Sequence, residues 1–283
     1  MTNIITARNL SKSYGSFQAL KNVNLTIRQG QIVGIIGANG AGKTTLLNSI
    51  LGLGTYDGEL DVLGYAPYSE RDEMMKEICF ISDVATLPKW IRVEEAIDFV
   101  EGVHKSFDRQ KALNFLAGTS IPLDKKVRQL SKGMIVQLHL ALIMSIDARI
   151  LVLDEPTLGL DIIYRKKFYR QLLEDFFDED RTILITTHQV DEIENILSEV
   201  VFIRNGNIIL TADMEDIGEK WLVLNPPTEN IDAARALSPV SEQTLLGRTS
   251  FIFKDRPREE LARLGDVGRI NLSDLFVTLM EGE

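Results

Sequence analysis

The sequence at residues 37–45 is GANGAGKTT, and this stretch decides the fold. It matches the pattern G-x-x-x-x-G-K-[ST], follows an apolar run at residues 31–36 and opens a helical pattern at residues 43–51. Between a buried strand and a helix, such glycines let backbone N–H groups turn inward around phosphate oxygens, at the positive end of the helix dipole. We therefore predict a phosphate-binding loop, whose members are Gly37, Ala38, Asn39, Gly40, Ala41, Gly42, Lys43, Thr44 and Thr45.

The stretch ILVLDEP at residues 150–156 predicts the chemistry that accompanies this loop. A buried strand ends there in two carboxylates, and ligands bind outside the carboxyl ends of strands in an open α/β sheet. We expect Lys43 to reach the β and γ phosphates, and Thr44 and Asp154 to hold Mg²⁺. Glu155 would orient and polarise the attacking water, because phosphoryl transfer depends mainly on positioning and charge neutralisation.

His188 follows the strand that the apolar pattern predicts at residues 182–186. A histidine just past the carboxyl end of that strand can reach a γ-phosphate, although in isolation it would be a polar loop residue. The Asp-Glu pair, too, would be compatible with a structural role if the phosphate loop were absent. His104 and His139 have no such context, so we predict structural roles for both.

The composition, with 45% apolar and 25% charged residues among 283, is that of a soluble globular protein of about two domains. The formal net charge of −10 argues against nonspecific nucleic-acid binding, which needs a basic surface, so we expect no nucleic-acid partner. Cys79 is the only cysteine, which predicts a reducing compartment and a small core residue. The longest uncharged apolar stretch, residues 138–146, is too short to span a bilayer, so a membrane role requires a partner.

Strand and helix patterns alternate along most of the chain, which predicts an α/β fold of the P-loop NTPase type with a mainly parallel sheet. Strands at residues 4–9 and 23–27 predict an N-terminal antiparallel β subdomain. A helical subdomain is expected as an insertion at about residues 86–140. We place the main domain at residues 1–217 and a small C-terminal α+β accessory domain at residues 218–283.

Several individual elements can also be predicted from local patterns. Amphipathic helices are expected at residues 93–103, 109–116 and 131–146. Asn205-Gly206 is the strongest short signal for a β-hairpin. In the accessory domain we expect a strand at residues 250–254 and a final helix that opens at Asn271 or Ser273.

Six stretches occur in a fixed order along the chain: SYG, GANGAGKTT, FISD, LSKGM, ILVLDEP followed by TLGLD, and TTHQ. In this order they make the sequence resemble the ATP-binding subunits of ABC transporters over about residues 1–215. The resemblance implies ATP and Mg²⁺ as cofactors, ATP hydrolysis, and a second ATP-binding subunit that forms a homodimer with the first. It also implies a separate multi-span membrane permease, which would hold the protein at the cytoplasmic face of the membrane as a peripheral subunit.

Within this resemblance, LSKGM at residues 130–134 corresponds to the family's signature, usually Leu-Ser-Gly-Gly-Gln. In the family two subunits pair head to tail, and the signature of one closes on the nucleotide held by the phosphate loop of the other. The resemblance implies that Ser131 and the backbone of Gly133 bind the γ-phosphate, where a side chain at position 133 would obstruct the approach. Lys132 and Met134 depart from the family's pattern. Without a partner subunit, Ser131 would be an ordinary helix N-cap.

The resemblance implies roles for three more residues. Tyr14 in SYG would stack on adenine, unless it is a core tyrosine. Asp161 in TLGLD would link the two ATP sites across the dimer. Asp83 in FISD stands where the family has a glutamine that touches Mg²⁺ and water, and Ser82 is the alternative if the alignment shifts by one residue. An aspartate can ligate Mg²⁺ but cannot donate a hydrogen bond as an amide does.

The relaxed LSKGM form, the separate ATPase chain and the tail LSDLFVTLMEGE at residues 272–283 resemble exporter-type systems more than nutrient importers. The tail either helps two subunits pair or covers the edge of a sheet. We expect the permease to bind the groove beside residues 83–100, where Glu94 and Glu95 lie. Two alternatives are a non-transport ATPase or regulatory module of the same family, and a small-molecule kinase, which would need neither LSKGM nor His188.

Overall fold

The computed structural model describes residues 2–81, 87–158, 162–175 and 177–281. Its strands are β1 (Asn3–Tyr14), β2 (Phe17–Arg28), β3 (Ile32–Ile36), β4 (Asp57–Val62), β5 (Ile78–Ile81), β6 (Ile150–Asp154), β7 (Thr182–Thr187), β8 (Glu199–Arg204), β9 (Asn207–Asp213), β10 (Trp221–Asn225), β11 (Ser241–Leu245), β12 (Arg248–Lys254) and β13 (Asp266–Arg269). Its α-helices are α1 (Lys43–Ile50), α2 (Arg71–Met74), α3 (Val93–Val103), α4 (Arg109–Ala117), α5 (Lys132–Met144), α6 (Ile162–Asp175), α7 (Met214–Lys220), α8 (Ile231–Ala236), α9 (Arg258–Leu261) and α10 (Leu272–Glu281).

The central sheet has the strand order β5-β6-β7-β3-β8-β9. Its strands pair in parallel, except that β9 runs antiparallel to β8. Every residue of β3, β6 and β7 is buried, as expected for apolar, β-branched strands that are covered on both faces. Asn205 and Gly206 have φ angles of 50° and 81°, which confirms the predicted hairpin between β8 and β9. The predicted α/β fold with a mainly parallel sheet is therefore confirmed.

The N-terminal sheet has the order β2-β1-β4 and is antiparallel, as predicted. Both β1 and β2 extend well beyond the predicted strands, because the backbone ladder continues as far as Tyr14, which pairs with Phe17. Strand β4 was not predicted, since its sequence DGELDV has few apolar residues. It forms because Leu60 and Val62 are buried against the neighbouring strands while its polar residues face solvent.

Helices α3, α4 and α5 lie between β5 and β6 and form an apolar cluster of their own, with Val93, Ile97 and Leu138 at its centre. Helix α5 also contributes Leu140 and Met144 to the main core, which is the apolar cluster that includes buried residues of the central sheet. Helix α3 has the predicted bounds, and α5 is slightly shorter than predicted at both ends. None of the helices among the described residues is long and apolar enough to cross a membrane.

The C-terminal region forms an antiparallel sheet of order β11-β12-β10-β13. The predicted strand and the predicted last helix correspond to β12 and α10. Strands β10, β11 and β13 were missed, because β10 is short and β11 is a polar edge strand that is exposed along most of its length. Helix α10 packs on the main core, where the ring of Phe276 meets that of Phe202 edge to face at 5.3 Å.

A cavity of about 420 Å³ lies between β5, α3 and α5 and is lined in part by Cys79, His104 and His139. The Nε2 atom of His139 is buried and has no hydrogen-bond partner among the described residues. Burial lowers the pKa of His139 to about 4 and raises the pKa of the Cys79 thiol to about 12. Both residues are therefore uncharged near neutral pH, which agrees with the predicted structural roles.

We expect His139→Leu to stabilise the protein and to reduce the pH dependence of its stability. Between pH 6.5 and about 4 the unfolded chain binds a proton at position 139 that the folded chain does not, so stability falls as pH falls through this window. Replacement removes that loss and an unsatisfied polar atom, which costs about 1–3 kcal/mol. Urea unfolding at pH 7.0 and 4.5 measures both effects. A wild-type pH dependence in the variant would contradict this account.

Candidate functional site

The loop between β3 and α1 turns back on itself before the helix begins. The N–H of Ala41 donates to the carbonyl of Ala38 (3.1 Å). Gly42, at the N-cap of α1, has φ 113°, and a Cβ atom there would lie 2.9 Å from the carbonyl oxygen of Ala19. A Cβ atom at Gly37 would lie 2.5 Å from another backbone oxygen. No described side chain caps α1, so the N–H groups of its first turn can bind an anion.

Lys43, Glu155 and His188 meet beside this loop. The Lys43 ammonium donates to the carbonyl of Gly37 (2.8 Å) and lies 3.5 Å from Oε1 of Glu155. Oε2 of Glu155 lies 3.0 Å from Nδ1 of His188. The side chains of Lys43 and Glu155 are largely buried, whereas that of His188 is 39% exposed. One carboxylate thus lies between two nitrogen donors at the edge of solvent.

The backbone of Glu155 is held in an uncommon conformation. Its φ angle is 49°, in the left-handed region that residues with a Cβ atom seldom adopt. The N–H of Glu155 donates to the carbonyl of Thr186 (3.1 Å), which fixes the residue to the end of β7. Such strain persists only where surrounding contacts enforce it, and it is concentrated at functional sites.

Asp154 lies at the end of β6 beside the first turn of α1. It is buried; Oδ1 accepts a hydrogen bond from the hydroxyl of Thr186 (2.5 Å) and Oδ2 one from the hydroxyl of Thr44 (3.2 Å). Adjacent hydroxyl and carboxylate oxygens suit Mg²⁺, which proteins bind through one or two carboxylates together with substrate phosphates. Among the described residues, no three His, Cys, Asp or Glu side chains cluster as metal ligands. The oxygen atoms of Thr44 and Asp154 therefore fit a Mg²⁺ ion whose other ligands are phosphate and water oxygens.

These residues line one cavity of about 580 Å³. It brings together most of the predicted site, namely Tyr14, Ala38, Asn39, Gly40, Ala41, Gly42, Lys43, Thr44, Thr45, Asp154, Glu155 and His188. Tyr14 is 53% exposed, so it is not a core tyrosine, and the Lys12 ammonium lies 5.1 Å from the centre of its ring. Phe17 and Leu158 line the same cavity. Sequence reasoning missed Phe17, although it directly follows the turn that begins after Tyr14.

The LSKGM stretch lies at the start of α5, and its residues are not among those that line this cavity. Ser131 is the N-cap of α5, and its hydroxyl oxygen accepts a hydrogen bond from the N–H of Met134 (3.2 Å). Lys132 is exposed and Gly133 is buried. The N-cap role and the proposed contact with a second subunit are compatible, because the serine lies at the surface. Asp83, its alternative Ser82, and Asp161 lie outside the described residues.

Comparison with known proteins places the chain among ATP-binding proteins of transporters. A family model described as ABC transporter matches residues 20–158. The ABC transporter ATP-binding protein YtrB of Bacillus subtilis is 28% identical over 99% of both chains. The Nod factor export ATP-binding protein I of Cupriavidus metallidurans is 28% identical over 99% of this chain and 98% of its own. The tungstate uptake system ATP-binding protein TupC of Peptoclostridium acidaminophilum is 34% identical over 72% of this chain and 96% of its own.

Solved structures share the fold. The structure of an ATP-binding subunit of an ABC transporter has a TM-score of 0.68 and 22% identity, over 76% of this chain and 91% of its own. A dimeric ATP-binding cassette bound to ADP and Pi has a TM-score of 0.62 and 24% identity, over 74% of this chain and 98% of its own. At these identities the likeness concerns the fold alone.

Proposed function

This chain belongs to the ATP-binding proteins of ABC transporters, and we propose that it binds and hydrolyses ATP to power a separate membrane-spanning permease. The observation that carries the proposal is the position of Glu155, whose carboxylate lies 3.5 Å from the Lys43 ammonium and 3.0 Å from the His188 ring. A carboxylate placed there can orient water beside a γ-phosphate, with a cation and an imidazole on either side of it. This division of roles suits transfer to water rather than to a bound hydroxyl substrate.

The remaining residues of the cavity have distinct roles in the proposal. Mg²⁺, when bound, neutralises charge on the β and γ phosphates, and Thr44 and Asp154 would hold it. Backbone N–H groups of residues 38–45 would surround the phosphates. Tyr14 would stack on adenine. Asp83, or Ser82 in its place, would be a further Mg²⁺ ligand.

A second copy of the chain would complete the site, because Ser131 and Gly133 lie outside the cavity that holds the phosphate loop. Helices α1 and α5 begin with Lys43 and Lys132, and neither has an acidic residue in its first turn. Helix N-termini usually favour acids there, so their absence suits two helix ends that face one anion. In the proposal the two copies pair head to tail, and Asp161 links their two ATP sites.

The proposal further gives the protein an export function and a peripheral place at the cytoplasmic face, through the permease. Export is supported by the likeness to the Nod factor export protein, which matches 99% of this chain, including the C-terminal region. We retain the proposed division into an ATP-binding domain at residues 1–217, with its helical subdomain at about 86–140, and an accessory domain at residues 218–283.

The permease would bind the exposed side of the helical subdomain. Trp90 and Phe99 are 68% and 65% exposed there, an unusual position for large apolar side chains. They line a cavity of about 610 Å³ together with charged residues that include Glu95 and Lys126. An apolar centre with a charged rim is typical of a protein-binding surface. Glu94 lies beside it and forms an ion pair with Arg92 at 3.7 Å.

We expect Glu155→Gln to lower the rate of ATP hydrolysis by roughly 10²–10⁴-fold, the scale for loss of a positioned general base. ATP affinity should change little, because Lys43 and the loop that bind the phosphates are retained. Phosphate release and equilibrium ATP binding by the purified chain measure the two effects. Glu59→Gln, an exposed glutamate on β4, is the matched control. Hydrolysis at the wild-type rate in Glu155→Gln would exclude the role of Glu155.

We expect Glu94→Lys to abolish transport while ATP binding is retained. Glu94 is the sharper test of this surface, because Oε2 of Glu95 accepts a hydrogen bond from the N–H of Arg92 (2.8 Å) and so caps α3. Removing Glu95 would also destabilise that helix by about 1 kcal/mol. Transport into vesicles that contain the permease is compared with ATP binding by the same variant, with Glu59→Lys as the control. Loss of ATP binding in Glu94→Lys would count against this placement of the permease.

A further inference from the structure

The segment that follows His188, residues 189–194, carries three carboxylates that contact other elements through hydrogen bonds or an ion pair. Asp191 and Glu192 belong to a short 3-10 turn, Val190–Glu192, and Glu194 begins a second one. Val190 and Ile193 are buried in the main core, so the inward side of the segment is fixed by apolar packing. Its outward side depends on polar contacts, because like charges this close together repel one another.

One set of contacts comes from α6 and from the loop after Glu155. The Arg165 guanidinium donates to Oε1 of Gln189 (2.6 Å) and also forms an ion pair with Glu192. The buried hydroxyl of Thr157 lies 3.4 Å from Oε2 of the same Glu192. Gln189, the residue next to His188, is thereby tied to α6, and Glu192 is tied both to α6 and to the loop that follows Glu155.

A second set comes from the C-terminal helix, some eighty residues further along the chain. The Ser273 hydroxyl donates to Oδ1 of Asp191 (2.5 Å). The N–H of Leu272 donates to Oε1 of Glu194 (3.0 Å), so the start of α10 faces this carboxylate with the positive end of its dipole. Within the described residues, these contacts connect the C-terminal helix to the segment that begins at His188.

Helix α10 is itself held rigidly, so it can serve as a fixed support. Leu272 and Leu275 are fully buried in the main core. The Arg204 guanidinium donates to the carbonyls of Leu279 (3.3 Å) and Met280 (3.2 Å) near the far end of the helix. A cavity of about 860 Å³ lies between α6 and residues 189–196, beside the Arg165 contacts, and is lined by both His188 and Ser273. Packing is therefore incomplete on this side, so the polar contacts hold the outward side of the segment.

We propose that Ser273, through its contact with Asp191, is a positioning residue for His188. The C-terminal helix thereby supports ATP hydrolysis. The inference rests on the proposed function, because His188 matters only if the site hydrolyses ATP. If the carboxylate of Asp191 is displaced, the 3-10 turn that begins two residues after His188 moves with it. Displacements on the order of 1 Å at a reacting group can lower rates by up to about 100-fold.

The test places a second carboxylate against Asp191. Ser273→Asp replaces an attractive contact with a repulsive one, yet it preserves α10, because an acid is favourable in a helix's first turn. The double variant Ser273→Asp with Asp191→Ser restores a hydroxyl facing a carboxylate with the two roles exchanged. Gln243→Glu adds the same charge on the exposed strand β11 and is the matched control.

In the full chain we expect Ser273→Asp to lower kcat for ATP about 10-fold, with KM changed less than about twofold. The kcat of the double variant should return to within about twofold of the wild-type value, and the kcat of Gln243→Glu should equal the wild-type value. Hydrogen exchange of the peptide that spans residues 187–194 should rise in Ser273→Asp and return to the wild-type level in the double variant. This exchange measurement does not depend on activity.

Two results would overturn the inference: a wild-type kcat in Ser273→Asp, or a double variant that remains as slow as the single one. A wild-type chain that binds ATP without hydrolysing it would instead refute the proposed function. In that case hydrogen exchange alone tests whether Ser273 positions the segment that follows His188. Unchanged exchange at residues 187–194 in Ser273→Asp would reject that role.

Discussion

The parallel register of β3, β6 and β7 is the constraint on which the rest of the site depends. Ile36 pairs with Thr187, and Asp154 pairs with Thr186, so the three strands end side by side at one edge of the sheet. The phosphate loop, the two carboxylates and the histidine each follow directly from one of these ends. Because side chains alternate between faces, a slip of one residue in any of the three strands would turn its functional group away. The backbone pairing of the three strands holds this register, and thereby the site.

The same register explains how residues that are distant in the sequence contact one another at the site. Thr186 donates its hydroxyl to Asp154 and accepts, through its carbonyl, the N–H of Glu155, so β7 positions both the last residue of β6 and the residue that follows it. Past the end of β7, the chain turns outward between α6 and α10. Among the described residues, the C-terminal helix contacts the segment that follows His188 through Leu272 and Ser273.

Much of the site could be predicted from the sequence, because its signals are local. A glycine-rich turn between a strand and a helix, or two acids after an apolar run, can be recognised within about ten residues. Thr186 and Phe17 could not be found in this way. Thr186 faces Asp154 only through the pairing of β6 with β7, and Phe17 reaches the cavity only because β1 and β2 extend to Tyr14. The role of Ser273 depends on a contact with Asp191 that no local pattern contains.

The strands likewise divide into those that the local sequence predicts and those that depend on pairing with other parts of the chain. Buried strands with β-branched sequences and the Asn205-Gly206 hairpin were predictable, since burial on both faces and positive φ impose narrow choices of residue. Strands β4 and β11 were not, because both are polar and pair with neighbours that only the folded chain supplies. Edge strands of this kind have little sequence signature, as only one side of their backbone is paired.

We expect two copies of the chain to close on ATP, with LSKGM of each copy facing the phosphate loop of the other. The most direct test is the mass in solution of the Glu155→Gln variant, which retains ATP, measured by light scattering with and without Mg-ATP. Head-to-tail closure should give a monomer without nucleotide, a dimer with Mg-ATP, and a monomer under both conditions when Ser131→Arg is added. A monomer throughout, or a dimer that Ser131→Arg does not disrupt, would contradict it.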